Sequence, residues 1–108
     1  MEKNLSMVRG DTLEFAIEVT GYDQMMDTAL LTVKSSYDGD VLLQKSLSDG
    51  VSIGNTGVFG TYVYKFRVAP EDTENLDCGK YYYDVEFGVN DDKITVMRGL
   101  LDIVYNVT

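Results

Sequence analysis

Carboxylates are the most abundant reactive groups in this 108-residue chain, with 18 Asp and Glu against 9 Lys and Arg and no His. They cluster at Asp38-Gly39-Asp40, Asp49 and Asp91-Asp92, and a hard cation needs oxygen ligands of this type when about six to eight must converge on it. The spacing of a helix-loop-helix calcium site is absent. Aspartate is also an ordinary hairpin-turn residue, so these clusters predict solvated turns and no bound metal. Paired carboxylates run glycoside hydrolysis in other proteins, but with 18 acids in so short a chain close pairs are unavoidable and none stands out. The absence of His removes Ser/His/Asp and Cys/His nucleophilic machinery, the common zinc ligand sets and any imidazole pH switch. The single Cys78 has no partner for an intramolecular disulfide and reads as a small hydrophobe. The chain is expected to be a non-enzyme with no cofactor.

Binding candidates are of two kinds. The stretch Ser52 to Gly60 holds three glycines and predicts a long, mobile or sheet-crossing connection able to serve as a binding loop. It has neither the Lys nor the following helix that a phosphate cradle requires. Exposed rings are the second kind, because sugar-binding sandwiches use them as stacking platforms with polar neighbours. Tyr82 is the first candidate, with Tyr37 and Tyr22 near connections. The predicted interaction residues are therefore Gly54, Asn55, Thr56, Gly57, Val58 and Phe59 of the loop, together with Tyr82 and Tyr37. Arg9-Gly10-Asp11 reproduces an adhesion tripeptide, yet Gly and Asp are what a tight inter-strand connection wants.

The formal charge of -9 gives a negative surface field that repels phosphate backbones, so nucleic acid is not an expected partner. No apolar run approaches the roughly 18 residues that span a bilayer, and Met1-Glu2-Lys3-Asn4 opens no secretion signal. No membrane partner is expected. Length and an apolar content of 44% fit a single domain, residues 1–108, with one core.

Such groups must be carried on strands, because period-two alternation dominates. Leu13, Phe15, Ile17 and Val19 alternate with polar or small neighbours, as do Tyr62, Tyr64, Phe66 and Val68, and then Tyr81, Tyr83, Val85, Phe87 and Val89. Tyr82 falls on the opposite face from Tyr81 and Tyr83. Weaker strands are predicted at Leu5 to Val8, Ala29 to Tyr37, Val41 to Leu47, Ile94 to Arg98 and Leu100 to Val107. Turn residues at Arg9-Gly10-Asp11, Asp38-Gly39-Asp40, Asp49-Gly50 and Asn90-Asp91-Asp92 separate them. One short helical turn is expected near residues 70–76, where Pro70 is pre-set for a first turn and acids follow it. About eight antiparallel strands with alternating faces predict two sheets packed on one core, an all-β sandwich, with a closed barrel as the alternative. Lys65 and Arg67 on one strand and Asp84 and Glu86 on another would fix register if those strands are neighbours.

Several phrases in order add to this reading: Arg9-Gly10-Asp11-Thr12 opening the Phe15 strand, Asp27-Thr28-Ala29 before Leu31-Thr32-Val33-Lys34, and above all Ala69-Pro70-Glu71-Asp72-Thr73. Leu76, Gly79, Tyr81, Tyr83-Asp84-Val85, Arg98-Gly99 and Val104-Tyr105-Asn106-Val107-Thr108 follow. The chain thereby resembles the amino-terminal domain of phage baseplate upper proteins and the short immunoglobulin-like sandwich proteins of Gram-positive phage and prophage structural modules. The resemblance implies an immunoglobulin-like virion structural protein, cytoplasmic during assembly and then part of the particle, with other tail or baseplate proteins as partners. Because the sequence ends at Thr108 without a stalk or receptor-binding region, it implies a docking, connector or decoration subunit. Edge strands offer a route to assembly with a neighbour, a second copy included. A carbohydrate-binding sandwich module is the alternative function.

Overall fold

The computed structural model describes residues 2–21, 24–58 and 60–105. Its strands are β1 (Leu5–Val8), β2 (Leu13–Thr20), β3 (Thr28–Lys34), β4 (Val41–Leu47), β5 (Gly50–Asn55), β6 (Thr61–Val68), β7 (Gly79–Val89) and β8 (Asp92–Val104), with one helical turn, α1 (Pro70–Thr73), between β6 and β7. The hydrogen-bonded order is β1-β8-β7-β3-β4-β5-β6-β2. That ribbon doubles back at β4 and β5, because the Phe87 ring on β7 lies 4.8 Å from Tyr64 and 6.2 Å from Phe66 on β6. Five strands, β1-β8-β7-β3-β4, thus face three, β5-β6-β2.

Pairing is antiparallel except for β1 beside β8 and a two-residue contact of β4 with β5. Among the described residues β1 and β2 do not pair, so the barrel alternative gives way to a sandwich. The runs β2-β6-β5 and β3-β7-β8 reproduce the B-E-D and C-F-G orders of the immunoglobulin fold. Antibody domains fill the centre of that fold with a disulfide and a Trp, and this chain has one Cys and no Trp. Rings take their place: Phe15 stacks on Phe66 at 5.0 Å with an 8° interplanar angle, and Phe66, Phe87 and Tyr64 are fully enclosed. Ring pairs of this kind contribute about 0.5–1.5 kcal/mol each beyond area burial.

The end of the sandwich that holds α1 is closed by polar groups. Asp72 accepts the Ala69 N–H at 2.7 Å and the Lys45 ammonium at 2.8 Å. Both of those side chains are largely buried, so the pair is well shielded from solvent and costly to break from one side. Thr73, also buried, accepts the Gly10 N–H at 2.9 Å, and the Tyr81 hydroxyl donates to the Asp77 carbonyl at 2.5 Å. A tyrosine at the start of the β7-type strand that bonds back to backbone a few residues upstream is the tyrosine corner of this fold.

Three expectations need correction. Ser52 to Asn55, expected in a loop, belongs to β5, with Gly54 opposite Val63 and Asn55 opposite Tyr62; of the described residues, Thr56, Gly57, Val58 and Gly60 lie between β5 and β6. The sheet crossing lies instead at Ser48 and Asp49, where Ser48 and Gly50 take positive φ of 68° and 92°. Secondly, Ile94 to Arg98 and Leu100 onward form one strand, β8, running through Gly99. A Cβ at Gly99 would collide with the Lys3 carbonyl, so this glycine marks a close backbone approach rather than a break. Thirdly, β6 and β7 lie in opposite sheets, so Lys65 and Arg67 cannot oppose Asp84 and Glu86. Arg67 instead meets Glu14 at 3.4 Å on an exposed face.

Candidate functional site

Alternation along β7 buries Tyr81, Tyr83, Val85, Phe87 and Val89 and turns Lys80, Tyr82, Asp84 and Glu86 outward. β3 lies alongside with Lys34 opposite Tyr82 and Thr32 opposite Asp84. β3 ends at Lys34, short of the expected Tyr37, and the freed residues bend so that the Tyr37 ring lies 4.1 Å from the Tyr82 ring, tilted by 36°. Tyr37 remains 78% exposed. On the other side β8 places Arg98 opposite Asp84 and Leu100 opposite Tyr82. A groove of about 520 Å³ opens between these side chains, within the size range of ligand sites.

The groove has a built wall. Residues 2–4 run beside β8, with the Lys3 N–H donating to the Arg98 carbonyl at 2.9 Å and the Leu100 N–H donating to Asn4 Oδ1 at 3.0 Å. From beneath, the Tyr83 hydroxyl donates to the Lys3 carbonyl. Arg98 reaches Glu2 at 3.4 Å across open surface, and Gln44 donates to the Thr32 hydroxyl at 3.1 Å. Partial burial raises the Asp84 carboxyl above its ordinary value, Glu86 pushes the same way, and Lys34 opposes them. Two rings, a mixed set of charges and several hydroxyls can stack on a planar or apolar group and hydrogen-bond around it.

Of the predicted interaction residues, the structure unites Tyr37 and Tyr82 and separates them from the rest. Gly54 and Asn55 are paired within β5, and Thr56, Gly57 and Val58 follow it. Thr56 accepts the Val58 N–H at 3.2 Å and donates to the Thr61 carbonyl at 3.1 Å, while Val58 is exposed. This connection sits where β2 ends and β6 begins, tied by Gly21 N–H to the Gly60 carbonyl at 3.0 Å. Tyr37 follows the far end of β3, so loop and ring pair occupy opposite ends of the sandwich. Phe59 and Tyr22 lie outside the described residues. The aspartate clusters stay on turns, and among the described residues no group of three or more Asp, Glu or Cys converges as metal ligands would. Groove residues that the sequence reading missed are Thr32, Lys34, Asp84, Arg98 and Leu100. Their only signal is outward phase on strands beside Tyr82.

No protein-family model matches the chain, and no curated protein matches it. Among solved structures it is similar to a chain of the ZIG-8–RIG-5 IG1–IG1 heterodimer, at 13% identity over 96% of this chain and 83% of that one, with a TM-score of 0.41. It is also similar to an extracellular domain of the voltage-gated sodium channel beta4 subunit, described as parallel homodimers that explain its role in cell-cell adhesion. That match has 12% identity over 98% of this chain and 93% of the other, with a TM-score of 0.43. The fold assignment rests on strand order and sheet packing. No helix among the described residues is long and apolar enough to cross a membrane.

Proposed function

We propose that this chain is a non-enzymatic structural subunit of a phage or prophage particle, a docking, connector or decoration protein of the tail and baseplate region. It acts through protein contacts on the outer face of the five-stranded sheet. One observation supports the choice of surface: the Tyr37 and Tyr82 rings, 4.1 Å apart, line the groove together, and Tyr37 is largely exposed. Tyrosines in such settings are typical anchors of protein interfaces, where a few residues supply most of the affinity. The particle setting is supported by the motif order from Ala69 to Val85 alone. Calorimetry with purified tail and baseplate proteins from the same genome tests the reading. A partner should bind, and Tyr37→Ala with Tyr82→Ala should weaken binding by roughly tenfold or more, about 1.4 kcal/mol. Absence of the chain from purified particles, with no binding to any of those proteins, overturns it.

The tilted ring pair amid hydroxyl and charged side chains also suits a sugar ring. Saturable binding on a glycan panel that disappears in Tyr82→Ala would favour a carbohydrate-binding module.

A further inference from the structure

The three-stranded sheet is incomplete on one side. β6 faces β7 through the Phe66, Tyr64 and Phe87 rings, and β2 is the next strand outward from β6. Among the described residues no strand lies beyond β2, which ends the hydrogen-bonded order. β2 is eight residues long with no bulge and no proline. Its inward row, Leu13, Phe15, Ile17 and Val19, packs on the core yet is only half-buried. Edges are usually blunted by being short, bent or covered, as the four-residue β1 is at the other end. β2 is neither short nor bent, and no described strand covers it. Charge is its one guard: its outward row carries Glu14, which meets Arg67 of β6 at 3.4 Å on an exposed face, and Glu18.

We infer that the β2 edge accepts an extended segment of another polypeptide, antiparallel or parallel to Leu13–Thr20, as a fourth strand of the small sheet. The segment alternates apolar side chains, which cover Phe15, Ile17 and Val19, with Lys or Arg side chains opposite Glu14 and Glu18. Main-chain bonds would supply affinity, and the two rows specificity. A second copy is a poorer fit. Two β2 strands paired antiparallel about Ala16 set Glu14 against Glu18 twice, and every other register still joins two chains of charge -9. This surface is separate from the groove and does not depend on its reading.

Amide hydrogen exchange on the intact chain tests the inference, with a nine-residue peptide alternating Lys with Val and Ile as probe. Controls are a block-ordered peptide of the same composition and an alternating peptide with Glu in place of Lys. The alternating basic peptide should slow exchange by roughly tenfold or more at every second amide of Leu13–Thr20, and added salt should weaken the effect. Glu14→Gln with Glu18→Gln should weaken it, Ile17→Lys should abolish it in a variant whose melting confirms folding, and Tyr82→Ala should leave it intact. No protection at saturating peptide, equal protection by the acidic or block-ordered peptide, or protection placed at Tyr82 overturns the inference. Protection of β2 without peptide that rises with protein concentration assigns the edge to a second copy and overturns it also.

Discussion

β7 presents tyrosines to two different worlds. Tyr81 and Tyr83 point inward, and each spends its hydroxyl on a backbone carbonyl, that of Asp77 and that of Lys3. Tyr82, between them, points outward, against the Tyr37 ring and into the groove. The residue type is the same, and the pleat decides whether the ring is spent inside the fold or left at the surface. Burial raises the hydroxyl pKa of both inward tyrosines, which keeps them as donors. The inner face is where stability resides, and the outer face contributes less to it.

Substitutions along this one strand put that contrast to the test. Phe87→Ala, which empties the centre of the ring cluster, should cost about 3–5 kcal/mol in chemical denaturation, a large part of the roughly 5–15 kcal/mol available to a domain of this kind. Tyr81→Phe keeps the ring and loses one bond, and about 0.5–1.5 kcal/mol is expected from the same measurement. Tyr82→Ala should change stability by less than about 1 kcal/mol while abolishing whatever the groove binds. If it costs as much as Phe87→Ala, the two faces are not functionally distinct.

The smallest effect concerns charge. The Asp84 carboxyl is raised from its ordinary 3.8 chiefly by partial burial and then by Glu86, so the folded state holds this proton more tightly than the unfolded one. Stability from this group therefore falls as pH rises between the unfolded and the folded value. Asp84→Asn should raise the melting temperature slightly at neutral pH, and the gain should vanish as pH drops below the ordinary carboxylate range. A gain that persists at low pH would place the cause elsewhere.

Much of this architecture is legible in the residues. The alternations at Leu13, Tyr62 and Tyr81 give three strands with their faces, and Asn90 and Asp91, both at positive φ, form the two-residue turn that their types announce. β5 is harder to see because Gly54 and the short run before it resemble a loop, and only pairing with β6 makes it a strand. Gly99 misleads in the opposite sense: its missing side chain admits the Lys3 backbone while the strand continues. The groove is half legible. Tyr37 and Tyr82 are recognisable as exposed rings, but their contact depends on β3 lying beside β7, a long-range pairing that no local pattern specifies. Asp84 and Arg98 look like any solvated strand face until β8 sets them opposite each other. The mistaken pairing of Lys65 and Arg67 with Asp84 and Glu86 has the same origin, since α1 carries the chain from one sheet to the other between those strands.

β1 runs parallel to β8 in the register Leu5 to Leu101 through Val8 to Val104. The described chain therefore enters beside the middle of β8, where Glu2 bridges Arg98, runs with it through Val8, and β8 leaves at Val104. A pull on the two ends drags these strands past each other along their length, loading all their bonds at once in shear instead of peeling them singly. A module wired in this way resists extension through its rate of rupture.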